Sequence, residues 1–60
     1  MMNNYIQLGD RLFILYRQIN ETPKINTEIL KQYWHCDTVL KKEGILYFCN
    51  EIPAIEFEEI

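Results

Sequence analysis

The stretch Thr38–Cys49, TVLKKEGILYFC, most strongly limits how this chain folds. Two apolar runs flank the charged tip KKEG, where Gly44 can take the positive φ that a tight loop needs. The runs are rich in β-branched and aromatic residues, which favour pleated strands. We therefore predict a β-hairpin with a short, bulged loop, in which Lys41 faces Ile45, Leu40 faces Leu46 and Val39 faces Tyr47.

This register makes both faces of the predicted hairpin apolar. One face carries Leu40, Leu46 and Phe48, and the other carries Val39, Ile45, Tyr47 and Cys49. Because strand side chains alternate between the two faces, each face needs its own cover. We expect helices to cover one face and a partner chain to cover the other.

The segment before residue 20 shows helical periodicity. A helical wheel brings six of its apolar side chains into a sector of about 100°, namely Tyr5, Leu8, Leu12, Leu15, Tyr16 and Ile19. Only Ile14 points away from this stripe, which marks it as a partner contact. An alternative is a hairpin around Gly9-Asp10, because glycine inside a helix costs about 1 kcal/mol relative to alanine.

A second helix is predicted over NTEILKQYWH, with Thr22 and Pro23, or Asn26 or Thr27, at its start and His35 near its end. Ile25, Ile29 and Tyr33 line one side of this predicted helix. The closing residues PAIEFEEI alternate apolar and acidic side chains, as in a half-buried strand. The predicted fold is therefore α+β. Two helices pack on a small antiparallel meander of two or three strands, in one domain spanning residues 1–60.

Composition restricts the class of protein. The chain is 48% hydrophobic and 25% charged, which is too apolar for a disordered chain. The longest apolar runs, LFILY and ILYFC, are too short to span a bilayer, and the N-terminus lacks the pattern of a signal peptide. We expect a cytoplasmic protein with reduced cysteines and no membrane partner.

The residues needed for common catalytic sites are scarce. Serine is absent, and His35 is the only histidine. His35, Cys36 and Cys49 lack the close ligand pairs that are typical of zinc sites, and neighbouring side chains on a helix do not face each other. Gly9 and Gly44 are too far apart for a phosphate-binding loop. We predict no enzyme activity, no cofactor and no metal.

Charge is distributed unevenly along the chain, whose net charge is −3. All six basic side chains lie in residues 1–42, whereas residues 43–60 carry only acidic ones. The main acidic group is Glu51, Glu56, Glu58 and Glu59. These carboxylates either keep a strand edge in solvent or dock on a basic partner. One alternative function is therefore an acidic mimic of nucleic acid, because strand residues two apart are separated by about 6.6 Å, similar to successive phosphates.

The favoured function is a small regulatory protein that binds another protein, such as a host enzyme or regulator. Frequent isoleucine, asparagine and lysine, with a single alanine, are typical of AT-rich phage genes and mobile elements. So small a core favours a homodimer. The predicted contacts of the dimer are Ile14, Trp34, Tyr47 and Phe57.

The other alternative is DNA binding, because two helices followed by a hairpin resemble a winged helix-turn-helix. In that arrangement the DNA-binding residues are Lys31, Gln32, His35, Lys41 and Lys42. Phosphate neutralisation supplies most of the affinity of DNA-binding proteins. Because this chain has few basic groups and an acidic end, DNA binding ranks below protein binding.

Overall fold

A four-stranded antiparallel sheet with one short helix is built from residues 4–53, which are the residues described by the computed structural model. The elements are β1 (Tyr5–Leu8), β2 (Arg11–Asn20), α1 (Thr27–Tyr33), β3 (Thr38–Lys42) and β4 (Ile45–Ile52). The strand order is β1-β2-β4-β3, and the sheet curls into a half-barrel. The fold is thus mostly β, and the predicted pair of helices on a small meander is wrong.

The predicted first helix is replaced by the hairpin that was its alternative. β1 and β2 pair with Leu8 opposite Arg11, which leaves Gly9 and Asp10 as a two-residue loop. Gly9 has a φ of 64°, which glycine adopts without the steric cost of a Cβ. A glycine at the first loop position is the pattern of a type II′ turn, whose twist matches that of the two strands.

A β-bulge interrupts β2, the strand whose sequence shows helical periodicity. Leu15 pairs with Cys49 and Arg17 pairs with Phe48, so Tyr16 is an extra residue in the ladder. The bulge breaks the alternation of faces halfway along the strand. Leu12, Leu15 and Ile19, which a helical wheel brings onto one side, therefore lie on both faces of the strand: Leu12 and Ile19 on one face and Leu15 on the other.

β2 is a central strand that is covered on both faces near its start. Leu12 and Phe13 are consecutive and point to opposite faces, yet both are buried. A continuous apolar run is typical of a strand with two covered faces, and periodicity alone does not separate such a run from a buried helix. Pairing with β1 and β4 decided between them.

The predicted helix after residue 25 is confirmed. The Asn26 side chain accepts hydrogen bonds from the backbone N–H groups of Glu28 (3.1 Å) and Ile29 (3.2 Å), which makes Asn26 the N-cap. The helix ends where His35 takes a left-handed φ of 57°. The expectation that Ile29 and Tyr33 line its packed side is wrong, since both are exposed.

The β3–β4 hairpin is confirmed, but its predicted register is wrong by one residue. Lys42 pairs with Ile45, so the loop contains only Glu43 and Gly44, with φ values of 53° and 80°. Two successive positive φ values define a type I′ turn, which needs no bulge. The shift exchanges Leu40 and Val39, so that Val39 shares a face with Leu46 and Phe48.

The core under the helix contains the buried side chains of Cys36, Leu46 and Phe48. Around them pack Ile19, Ile25, Leu30, Trp34 and Val39. We call this side of the sheet the helix face. The opposite side, the inner face, carries the buried side chains of Phe13 and Cys49. The half-barrel therefore buries side chains on both sides of its two central strands.

The predicted C-terminal strand and the predicted lack of a membrane span are compared with the described residues next. The strand predicted for residues 53–60 lies outside the described residues, apart from Pro53. Within residues 4–53, no helix is long and apolar enough to cross a membrane.

Truncating Phe48 tests the position of the core. Because its ring is fully buried between α1 and the sheet, Phe48→Ala should lower the free energy of unfolding by about 3–5 kcal/mol. Urea denaturation followed by Trp34 fluorescence measures the loss. Ile29→Ala is the control, because Ile29 is 60% exposed and should change stability by less than about 0.5 kcal/mol. Equal losses in the two variants would contradict this core.

The turn offers a substitution that should stabilise the fold. Glu43 holds a left-handed conformation that costs an ordinary residue about 1–2 kcal/mol, and asparagine tolerates it better. Glu43→Asn should therefore raise the midpoint of urea denaturation. Glu43→Ala removes the same charge without this conformational preference and should give no increase. A gain of equal size in both variants would point to charge instead of backbone conformation.

Candidate protein-binding surface

The bulge in β2 places two side chains beside the helix. Tyr16 is the extra residue of the bulge, and Arg17 follows it opposite Phe48, on the helix face. Bulges re-aim side chains and often occur next to functional sites. Arg17 consequently lies over the same part of the sheet as the end of α1.

The end of α1 supplies two further aromatic rings. Tyr33 is the last helical residue and Trp34 is the C-cap, whose backbone N–H donates to the Leu30 carbonyl at 2.9 Å. The Trp34 ring meets the buried Phe48 ring edge to face, with centroids 5.0 Å apart and an interplanar angle of 88°. The buried Phe48 ring thus holds the Trp34 ring in position.

Arg17 joins the rings into one surface, the aromatic patch, which consists of Tyr16, Arg17, Tyr33 and Trp34. The guanidinium carbon lies 4.8 Å from the Trp34 centroid and 5.7 Å from the Tyr16 centroid, within the range of cation–π attraction. The Trp34 ring thus contacts both this cation and the Phe48 ring. Tyr16 and Tyr33 are 5.9 and 6.4 Å from Trp34, centroid to centroid.

The aromatic patch is held in place but open to solvent. Tyr16 is 53% exposed and Tyr33 is 74% exposed, while Trp34 is half-buried. Tyrosine, tryptophan and arginine are the residues most enriched at energetic centres of protein interfaces. This surface can therefore contribute large apolar areas and hydrogen-bonding hydroxyl groups without prior rearrangement.

The predicted partner contacts do not form one surface. Trp34 lies in the aromatic patch, and Ile14 is exposed in β2 on the same face of the sheet. Tyr47 points to the inner face, where it lines a groove between the edge strands. Phe57 lies outside the described residues.

Only one member of the predicted acidic group can be placed. Glu51 in β4 accepts two hydrogen bonds from the Arg11 guanidinium, both 2.9 Å long. Donation by Arg11 lowers the pKa of Glu51, although partial desolvation opposes the shift. Glu56, Glu58 and Glu59 lie outside the described residues. Glu51 therefore joins β4 to the start of β2 and is already paired.

The residues predicted to bind DNA are divided between two elements. Lys31 and Gln32 lie in α1 and His35 directly follows it, whereas Lys41 and Lys42 end β3. Two of the lysines are already paired, Lys31 with Glu28 at 3.8 Å and Lys41 with Glu21 at 3.0 Å. With only one helix in residues 4–53, the winged-helix arrangement loses its basis.

The cysteines are free thiols buried on the two sides of the sheet. Burial raises the pKa of Cys36, and it raises the pKa of Cys49 to about 11. Reactive cysteines show the opposite shift, because a nucleophile needs the thiolate. Residues 4–53 also contain no cluster of three His, Cys, Asp or Glu side chains that could hold a metal ion.

Tyr16, Arg17 and Tyr33 were not among the residues predicted for binding. Helical periodicity places Tyr16 and Tyr33 on the packed sides of the two predicted helices. The hairpin alternative could have indicated these residues, because a strand over residues 11–20 places Arg17 in a sheet beside aromatic neighbours.

Comparisons of the chain with protein-family models, with curated proteins and with solved structures give no match. The surface geometry and the charges of the described residues are therefore the basis for inferring function.

The ion pair between Arg11 and Glu51 predicts a pH dependence. Because the folded state lowers the Glu51 pKa, the pair stabilises the protein above the unfolded pKa of about 4.3. This contribution disappears as the pH falls through the lower, folded pKa. Glu51→Gln should therefore be less stable than the parent chain at pH 7 and approach its stability near pH 2.5, as measured by urea denaturation. A difference independent of pH would contradict this role.

Proposed function

We propose that this protein is a small, non-enzymatic regulator that acts by binding another protein through the aromatic patch. One observation carries the proposal: three aromatic rings and a guanidinium cluster on one surface, while two of the rings remain more than half exposed. A monomeric protein gains little from leaving such side chains in water, and clusters of this composition are typical of interfaces.

The patch is suited to binding because its geometry is already fixed. Trp34 contacts both Phe48 and Arg17, and Tyr16 is positioned by the bulge. A partner then orders few additional side chains, so less of the interaction energy is lost as entropy. This supports binding to a preformed site on a folded partner.

The remaining parts of the proposal come from sequence and chemistry. We assign the protein to the cytoplasm, as a regulator of the kind encoded by phages and mobile elements, and we expect it to form a homodimer. The absence of serine and the raised pKa values of both thiols support a non-enzymatic role. Light scattering at micromolar concentration tests the dimer, and a stable monomer of 7.3 kDa would exclude it.

Affinity capture from host lysate tests the patch. The parent chain should retain a defined partner, and Tyr16→Ala with Tyr33→Ala should reduce its retention at least tenfold, since aromatic residues at interface centres contribute about 2 kcal/mol or more. Both side chains are exposed, so the variant should keep its fold. Circular dichroism and urea denaturation check this.

Tyr5→Ala is the matched control, because Tyr5 is 49% exposed and lies on β1, outside the aromatic patch. Retention that is equal in all three proteins would contradict a role for the patch. Aromatic rings beside arginine also suit stacking on single-stranded nucleic acid. Tight, salt-sensitive binding of a labelled oligonucleotide that is lost in the Tyr16 and Tyr33 variant would replace protein binding with that function.

A further inference from the structure

A groove on the inner face of the sheet lies between the two edge strands. Its volume is about 460 Å³, and small-molecule sites in proteins commonly measure about 300–1,000 Å³. The lining residues are Ile6, Gln7 and Leu8 of β1, Leu40, Lys41 and Lys42 of β3, and Tyr47 of β4. Both edge strands and one central strand therefore contribute apolar side chains to a space large enough for a small ligand.

The register of β3 on β4 places one lysine on the same face as the apolar lining. Leu40 pairs with Tyr47, so both side chains lie on the inner face, and Lys42 follows Leu40 by two residues on that face. Lys41 points to the helix face instead, where its ammonium pairs with Glu21 at 3.0 Å. Lys42 is therefore the lysine of the lining whose side chain shares the groove with apolar groups.

The wall on the β1 side carries no charge. Ile6 pairs with Phe13, whose buried side chain lies on the inner face, and Leu8 follows Ile6 by two residues on the same face. The Gln7 amide already donates a hydrogen bond to the Gly9 carbonyl at 3.1 Å. This wall therefore offers a ligand apolar contact, while the opposite wall ends in a cation.

No carboxylate neutralises this cation among the described residues. Lys42 makes no ion pair with any residue from 4 to 53, and no acidic side chain belongs to the lining of the groove. Apolar walls strengthen the field of a charge, because they exclude water from the space beside it. The groove thus favours a ligand with an anionic group at one end and an apolar body that extends towards β1.

A peptide strand does not have this arrangement of charge. Side chains alternate between the faces of a strand, so a strand with apolar groups in the groove turns its charged groups away from Lys42. A second copy of the chain is also unsuitable, because pairing two β3 edges brings like-charged lysines together. A small amphiphile meets both requirements, since its charge and its apolar body lie along one axis.

We propose that the groove binds a small amphipathic anion of the free fatty acid type. The carboxylate accepts hydrogen bonds from the Lys42 ammonium, and the hydrocarbon chain lies against Tyr47 between Leu40 and the wall formed by β1. Burial of the chain supplies affinity, and the charged contact determines its orientation. This site goes beyond the proposed function, because the groove and the aromatic patch lie on opposite faces of the sheet.

The probe is sodium decanoate, titrated below its micelle concentration into the full chain while backbone amide shifts are followed by NMR. Saturable shifts should be largest at residues 6–8, 40–42 and Tyr47. Lys42→Gln should weaken binding about tenfold, because it removes a hydrogen bond to a charged group. Lys42→Arg keeps the charge and should bind within about twofold of the parent chain. Lys24→Gln is the matched control, because it removes one positive charge outside the groove and should not change binding.

Two further ligands separate charge from apolar contact. Decanol has the same tail without the charge and should bind about tenfold more weakly. Acetate has the charge without the tail and should give no saturable shifts. Leu8→Ala should weaken decanoate binding about threefold by shortening the apolar wall, and it should keep the fold because Leu8 is 50% exposed. Equal affinity of the parent and Lys42→Gln, or of decanoate and decanol, would overturn the inference.

Vesicles of phosphatidylglycerol test whether the anion comes from a lipid surface. The parent chain should stay in the supernatant when the vesicles sediment. Sedimentation with the vesicles that is lost in Lys42→Gln would assign this cation to a membrane surface and overturn the inference.

Two occupants from the chain itself are tested in the same way. Shifts at residues 40–42 that grow with protein concentration in the absence of decanoate would assign the groove to a second copy. Decanoate binding that appears only after Ile55→Ser with Phe57→Ser would assign it to the chain's own segment IEFE. Either result would overturn the inference. The variant Tyr16→Ala with Tyr33→Ala should bind decanoate normally, and shifts centred on the aromatic patch would contradict the site.

Discussion

The pairing of β2 with β4 is the constraint on which the rest of this structure depends. These are the two longest strands, and they form the centre of the sheet. Their buried side chains lie on both faces: Leu46 and Phe48 under the helix, and Phe13 and Cys49 on the inner face. A chain of 60 residues buries only about 60% of its unfolded surface, so using both faces of one strand pair makes efficient use of few apolar residues.

The same pairing creates the aromatic patch. The bulge at Tyr16 lets the ladder continue while the strand bends, and it places Arg17 beside Phe48. The C-terminal end of the helix lies over this pair, so Trp34 contacts both Phe48 and Arg17. The buried core and the exposed aromatic patch therefore depend on the same side chain, Phe48. The residue that anchors the core also positions the rings available to a partner.

The two outer strands of the sheet, β1 and β3, line a groove on the inner face. Four strands with this curvature leave β1 and β3 facing each other across a groove without pairing. Full closure removes the edges of a barrel, whereas β1 and β3 keep one edge each without a paired strand from residues 4–53. The aromatic patch and this groove lie on opposite faces of the sheet.

Local chemistry in the sequence determined the β3–β4 hairpin and the Asn26-capped helix, because glycine conformation, capping and strand propensity act over a few residues. The Gly9-Asp10 turn could also be predicted from the sequence, as the alternative to a helix. However, the apolar pattern of residues 11–20 suits both a helix and a bulged strand that is covered on both faces. Only pairing with β1 and β4 decided between them. Likewise, the residue type of Trp34 predicts a partner contact, whereas its assembly with Tyr16, Arg17 and Tyr33 depends on the bulge. Where a strand bulges is set by neighbouring strands, and no single segment of the sequence contains that information.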